Sequence, residues 1–167
     1  MSGAAGRAAR LGVLGAVALA LGYVESFIPL APGLPGIKLG LANTVLLYAV
    51  YLETPRAAWM LMAAKVLLSG FLFAGASAML YSLAGGVLSM CAMFLGKRVK
   101  GLSIPGVSVA GALFHNLGQI LAACLLIQPK AVLPYLPVLL VSAVITGLLT
   151  GIVAMYVIRS LRKGHKL

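Results

Sequence analysis

The chain is 167 residues long, 62% hydrophobic and 9% charged, and its net charge of +11 arises from thirteen Lys and Arg against two acidic residues, Glu25 and Glu53. A soluble globular domain carries about 25% charged residues, so this composition excludes one. It also argues against nucleic acid as a partner, because the basic residues sit at the ends of apolar runs, where membrane topology requires them.

The remaining class is a polytopic membrane protein. A bilayer core of roughly 30 Å takes about 20 apolar residues per spanning helix. The chain therefore has room for six or seven spans and no separate soluble domain, and residues 1–167 are read as a single membrane domain. Span 1 is predicted over about residues 8–28. Arg7, Arg10 and the Ala18-Leu19-Ala20 triplet imitate a signal peptide, but the apolar stretch runs on to Tyr23 and more spans follow, so a retained helix is expected. Ala4, Ala8, Gly12, Ala16 and Ala20 recur every four residues along it. That spacing makes a smooth stripe of the type that lets another helix approach closely. The stripe serves either a neighbouring helix of the same chain or a partner membrane protein.

A Pro/Gly loop follows (Pro29, Pro32, Gly33, Pro35, Gly36), and span 2 occupies only about 39–52. Fourteen residues make ~21 Å of helix, too short to cross comfortably unless the preceding loop enters the protein, where non-helical backbone is shielded. Spans 3 to 6 are predicted over about 56–75, 77–96, 106–128 and 135–158. Gly85 with Ser89, and Gly147 with Gly151, are expected to serve packing within the chain. Cys91 and Cys124 lie alone in separate runs and are expected to be buried packing residues, with no metal or redox role.

The positive-inside rule orients the spans. With both termini cytoplasmic, Arg7, Arg10, Arg56, Lys97, Arg98, Lys100, Arg159, Arg162, Lys163 and Lys166 lie inside, and Lys38 and Lys130 lie outside. Lys65 falls within span 3.

Ionisable residues inside a membrane are costly and mark function by default. Lys65 lies nine residues from Arg56, ~14 Å deep at the helical rise. His115 lies ten residues beyond Pro105, also near mid-depth, and shares one helix face with Asn116 and Gln119. Glu25 sits near the outer end of span 1, and Asn43 one to two turns into span 2. These residues are expected to line a cavity in the outer half of the bundle. The alternative is hydrogen bonding between helices without a ligand. A buried cation with Glu25 as its one plausible protein partner points to an anionic ligand, or to a Glu25 pair that a ligand displaces.

No Walker motif, HExxH or GxSxG is present. The chain is accordingly read as no enzyme, with no cofactor and no metal site. Trp59, the single Trp, lies near the cytoplasmic edge, so an aromatic cage in the outer cavity is not expected.

Glu25-Ser-Phe-Ile-Pro29, Pro32-Gly33, the KLGLAN segment Lys38–Asn43, the stretch Phe71–Gly86 and the segment Ser103–Gln119 with its HNLGQ end resemble the bacterial Gx transporter family, also labelled heptaprenyl diphosphate synthase component I. The resemblance covers about residues 10–160. The family pattern carries an arginine where this chain has Lys65, which keeps the charge without the bidentate fork.

The six-span layout is also similar to the substrate-binding S components of energy-coupling factor (ECF) importers. That resemblance implies an all-α, S-component-like bundle in the bacterial cytoplasmic membrane. It implies a substrate site under the loop 29–38, formed by Glu25, Lys38, Asn43, Lys65, His115, Asn116 and Gln119. It further implies docking of a transmembrane coupling protein, with its two ATPases, on Gly12, Ala16 and Ala20. The other label implies an accessory subunit of isoprenoid or quinone metabolism that binds a polyprenyl diphosphate or a quinone. It could not be the synthase itself, since magnesium needs carboxylate oxygens and the chain has no Asp at all.

Overall fold

The computed structural model describes residues 3–28, 39–126 and 133–164. Every regular element among them is helical: α1 (Ala4–Ser26), α2 (Leu41–Leu52), α3 (Pro55–Ser69), α4 (Ala76–Arg98), α5 (Ile104–Leu126) and α6 (Leu136–Gly164). A π-helical turn, Gly70–Ala74, extends α3, and a 3-10 turn, Leu133–Tyr135, leads into α6. Five of these segments are long and apolar enough to cross a bilayer, and α2 is the shorter apolar sixth. The six expected spans are all helices. Their bounds differ mainly in span 1, which begins at Ala4, and in span 6, which extends to Gly164.

The molecule is apolar on the outside. Val13, Met60, Phe71, Leu95, Leu125, Val141 and Tyr156 are exposed, Leu125 by 86%. A soluble monomer does not expose apolar surface on this scale. A lipid-facing bundle must, because hydrocarbon is its solvent. Cys91 belongs to this outer surface and Cys124 is half-buried. The expectation of two buried cysteines is therefore corrected. An apolar run alone cannot say which of its faces meets lipid.

The helix too short to span is the most enclosed. In α2, Ala42, Val45, Leu46, Leu47, Ala49 and Val50 are buried, and all of these but Ala42 join Leu61 and Met62 of α3, Met90 and Met93 of α4, Val107 of α5, and Ala154 and Ile158 of α6 in the core. At ~1.5 Å per residue α2 is only ~18 Å long. Its N-terminus therefore ends inside the bundle.

Small residues set the approach of the other helices. A Cβ on Gly118 of α5 would stand 2.7 Å from the Ala84 carbonyl oxygen of α4, and one on Gly85 would stand 2.7 Å from the His115 carbonyl oxygen. A Cβ on Gly151 of α6 would lie 2.6 Å from Pro105 Cα, and one on Gly147 2.9 Å from Val109 Cα. These glycines serve packing within the chain, as expected of Gly85, Gly147 and Gly151. In contrast Gly12, Ala16 and Ala20 on α1 are exposed, and a Cβ at Gly12 would meet nothing within 4 Å. Helix α1 rests on α2 and α3 by its other side, where Ala18 is fully buried.

One end of the bundle gathers the basic residues. Thr54 caps α3 by accepting from Ala57 N at 3.3 Å, with Pro55 in the first helical position, where its missing N–H costs nothing. Beside this turn Arg10 Nε stands 3.0 Å from Glu53 Oε1. Lys97 Nζ donates to the Val50 carbonyl oxygen at 2.7 Å and lies over the Tyr51 ring, with Arg162 near enough to act on it electrostatically. The start of α1, the α2–α3 turn and the ends of α4 and α6 thus share one end, as an even number of crossings requires.

Candidate functional site

The other end of α2 opens into a cavity of about 80 Å³. A buried water needs roughly 10–15 Å³ by this measure, so there is space for about half a dozen. Glu25, Asn43, Lys65, His115, Asn116 and Gln119 all line it. They come from α1, α2, α3 and α5. Lys38, also expected in the site, lies outside the described residues.

The first turn of α2 organises the cavity. Gly40 precedes the helix with φ 78°, in the left-handed region that only glycine adopts at little cost. Its N–H donates to Glu25 Oε1. The Glu25 side chain is buried, with 6% of the residue exposed, so the end of α1 is tied to the start of α2. The first N–H groups of any helix lack intrahelical acceptors, and their dipole favours an anion. Glu25 supplies one. One turn on, Asn43 Oδ1 accepts from Lys65 Nζ at 3.1 Å. Sequence logic named Glu25 as a plausible mate of Lys65; the bond to the Asn43 amide is one that it did not name.

The π-helical turn follows Lys65 by five residues. It ends at Gly75, φ 84°, whose N–H donates to the Gly70 carbonyl oxygen at 3.0 Å. A Cβ at Gly70 would lie 2.7 Å from the Met79 side chain, so the α3–α4 corner is tight. Phe73 in this turn packs edge-on against Tyr23 of α1, 5.5 Å between centroids. Such wide turns inside helices occur frequently at functional sites.

Helix α6 contributes a wall that the sequence reading missed. Ser142, Thr146 and Thr150 line the cavity beside Ser108 of α5 and Ser82 and Ser89 of α4. The i, i+4 spacing of Ser142, Thr146 and Thr150 was the available signal. Their protons are committed. Ser142 Oγ donates to the Leu139 carbonyl oxygen at 2.9 Å, Thr146 Oγ1 to Ser142 at 2.9 Å and Thr150 Oγ1 to Thr146 at 2.8 Å. Ser108 Oγ and Thr150 Oγ1 are 3.2 Å apart. The Thr150 methyl, not its hydroxyl, lies on the Gly40 side. Asn116 is partly a fastener between helices, since its Nδ2 donates to the Leu139 carbonyl oxygen at 2.7 Å.

The two carboxylates stand at opposite ends of α2, Glu25 at Gly40 and Glu53 after Leu52. Among the described residues no cluster of three or more His, Cys, Asp or Glu could hold a metal.

The heptaprenyl diphosphate synthase component I family matches residues 14–157. The chain belongs to that family. It is the Gx transporter, S-component-like family that the sequence motifs resemble. The match includes every residue that lines the cavity, from Glu25 to Thr150. No curated protein and no solved structure matches the chain.

Proposed function

We propose that this member of the heptaprenyl diphosphate synthase component I family is a non-catalytic, solute-binding subunit of the bacterial cytoplasmic membrane. It captures a small solute carrying an anionic group from outside and works with an ECF-type coupling protein and two ATPases. The observation that supports this most is the polar cavity at the N-terminus of a helix too short to cross a bilayer. Half-length helices whose N-termini face a substrate anion recur in membrane transporters. Here Lys65 adds a full positive charge beside that terminus. The exposed Gly12, Ala16 and Ala20 stripe supports the second half of the reading, because it is a close-packing surface that no described helix covers.

The family description favours a second reading, an accessory subunit that binds a prenyl diphosphate or a quinone. The cavity bears on it through size. About 80 Å³ suits a head group and not a long isoprenoid chain, which would have to lie in lipid. Two carboxylates separated by the length of α2 also cannot share one magnesium ion.

Native mass spectrometry of the protein extracted in nanodiscs tests both readings. A retained small polar solute supports the first, and a prenyl diphosphate or quinone mass replaces it with the second.

A further inference from the structure

At the end of the bundle away from the cavity, two cations on different helices converge where the core stops. Met93 of α4 and Ile158 of α6 join Val50 of α2 in the core. Lys97 and Arg162 lie one turn beyond them, so each continues the inward face of its helix. Lys97 Nζ donates to the Val50 carbonyl oxygen at 2.7 Å and stands 5.3 Å from the centre of the Tyr51 ring. Arg162 acts electrostatically on both Lys97 and Tyr51. Both cations are exposed, so a molecule at this end can reach them.

Lys97 alone has a structural explanation. The last carbonyl groups of a helix lack intrahelical donors and favour a cation, and Lys97 serves the end of α2 in this way. Arg162 is not explained by it, because it brings a second positive charge toward the first, and like charges repel. Among the described residues neither carboxylate of the chain is bound to the pair: Glu53 stands 3.0 Å from Arg10, and Glu25 is at the far end of α2. Membrane orientation calls for cations at this end, but side chains that point apart would serve it equally. An ammonium and a guanidinium carry several donors each, and Val50 takes one of them.

Apolar side chains frame the pair. Leu95 and Val99 lie two residues either side of Lys97, Leu161 precedes Arg162, and all three are exposed. Donors at the edge of an exposed apolar surface fit a molecule with an anionic head and an apolar tail. A free anion would use the donors alone.

We propose that Lys97, Arg162 and the Tyr51 end of α2 form a binding site for the phosphate head group of an anionic phospholipid. Basic notches between the ends of membrane helices hold such head groups. The phosphate oxygens bridge the two cations and relieve their repulsion, while the acyl chains run along Leu95 and Leu161. The site is separate from the solute cavity and does not depend on what that cavity binds.

The test is native mass spectrometry of the full chain in detergent, titrated with dioleoyl phosphatidylglycerol or dioleoyl phosphatidylcholine. Phosphatidylglycerol should bind about tenfold or more tighter, the scale of two basic residues acting on one anionic head group. Arg162→Gln should cut that preference by about fivefold, one residue's share. It breaks no bond within the described protein, so its melting temperature without lipid should equal or exceed that of the wild type. Its rise in melting temperature on adding phosphatidylglycerol should be smaller. Lys97→Gln should lose preference in the same way, whereas Lys100→Gln, which removes an equal charge in the turn after α4, should keep it.

Equal binding of the two lipids would overturn the inference. So would equal losses in Arg162→Gln and Lys100→Gln, which would reduce the pair to part of a diffuse positive surface. Sodium phosphate that raises the wild-type melting temperature as much as phosphatidylglycerol does would assign the donors to a free anion and overturn the lipid assignment.

Discussion

Three residues that meet at the start of α2 make the site what it is. Gly40 allows the left-handed turn, Asn43 holds Lys65, and Glu25 closes the turn from α1. A side chain at φ 78° is strained by about 1–2 kcal/mol, so Gly40→Ala should lower thermal stability by that amount and disturb the Glu25 contact, as read by a melting curve with and without ligand. The charged members of this group were legible in the sequence, because an ionisable residue in an apolar run is conspicuous. Ser142, Thr146 and Thr150 were not singled out. Hydroxyls in membrane helices commonly bond their own backbone, and these do. Only the fold shows that these residues also line the cavity. The bond between Asn43 and Lys65 was equally hidden, since it depends on how α2 and α3 cross.

At the scale of the helix, glycine has two opposite roles here, and substitution separates them. Gly118 and Gly151 are pressed against neighbouring backbone. An added methyl there forces the helices apart, and Gly118→Ala or Gly151→Ala should destabilise the bundle by about 1–3 kcal/mol. Gly12 faces open space, so Gly12→Ala should leave the isolated protein as stable or up to ~1 kcal/mol more stable. Melting of the three variants in the same detergent checks the contrast. Equal losses at Gly12 and Gly118 would mean that the α1 stripe is buried in the working protein.

Ala16→Leu extends the argument to docking. It should abolish co-purification with a coupling partner while the subunit itself remains folded, because bulk on a small-residue face blocks close helix approach. Helix existence and order were readable from the apolar runs alone. Inward packing of Gly85, Gly147 and Gly151 was anticipated too; whether the α1 stripe meets a helix of the same chain was left open, since small residues look alike in one dimension. The helix that is too short to span was also legible, by counting. That it would be the most enclosed of the six follows from the need to shield its ends, and required the fold.

For the whole molecule, the account rests on an even number of crossings with the cavity facing out. Arg10, Lys97 and Arg162 gather with Glu53 at one end, as the sequence rule anticipates. In a variant with Cys91 and Cys124 replaced, a single cysteine at position 130 should be labelled from outside by a membrane-impermeant reagent. Single cysteines at 99 or 164 should not be labelled. The reverse pattern would turn the cavity toward the cytoplasm and remove the capture role.

Ligand binding through Lys65 is the central claim. Its most direct test is the affinity of wild type and Lys65→Met for the small molecule that co-purifies with the protein, alongside their melting temperatures without ligand. Methionine keeps most of the apolar stem and removes the charge. Loss of one charged hydrogen bond should weaken binding by ~1.5–3 kcal/mol, while the ligand-free melting temperatures stay close. Unchanged affinity with a lowered melting temperature would contradict the account and make Lys65 a structural fastener for Asn43.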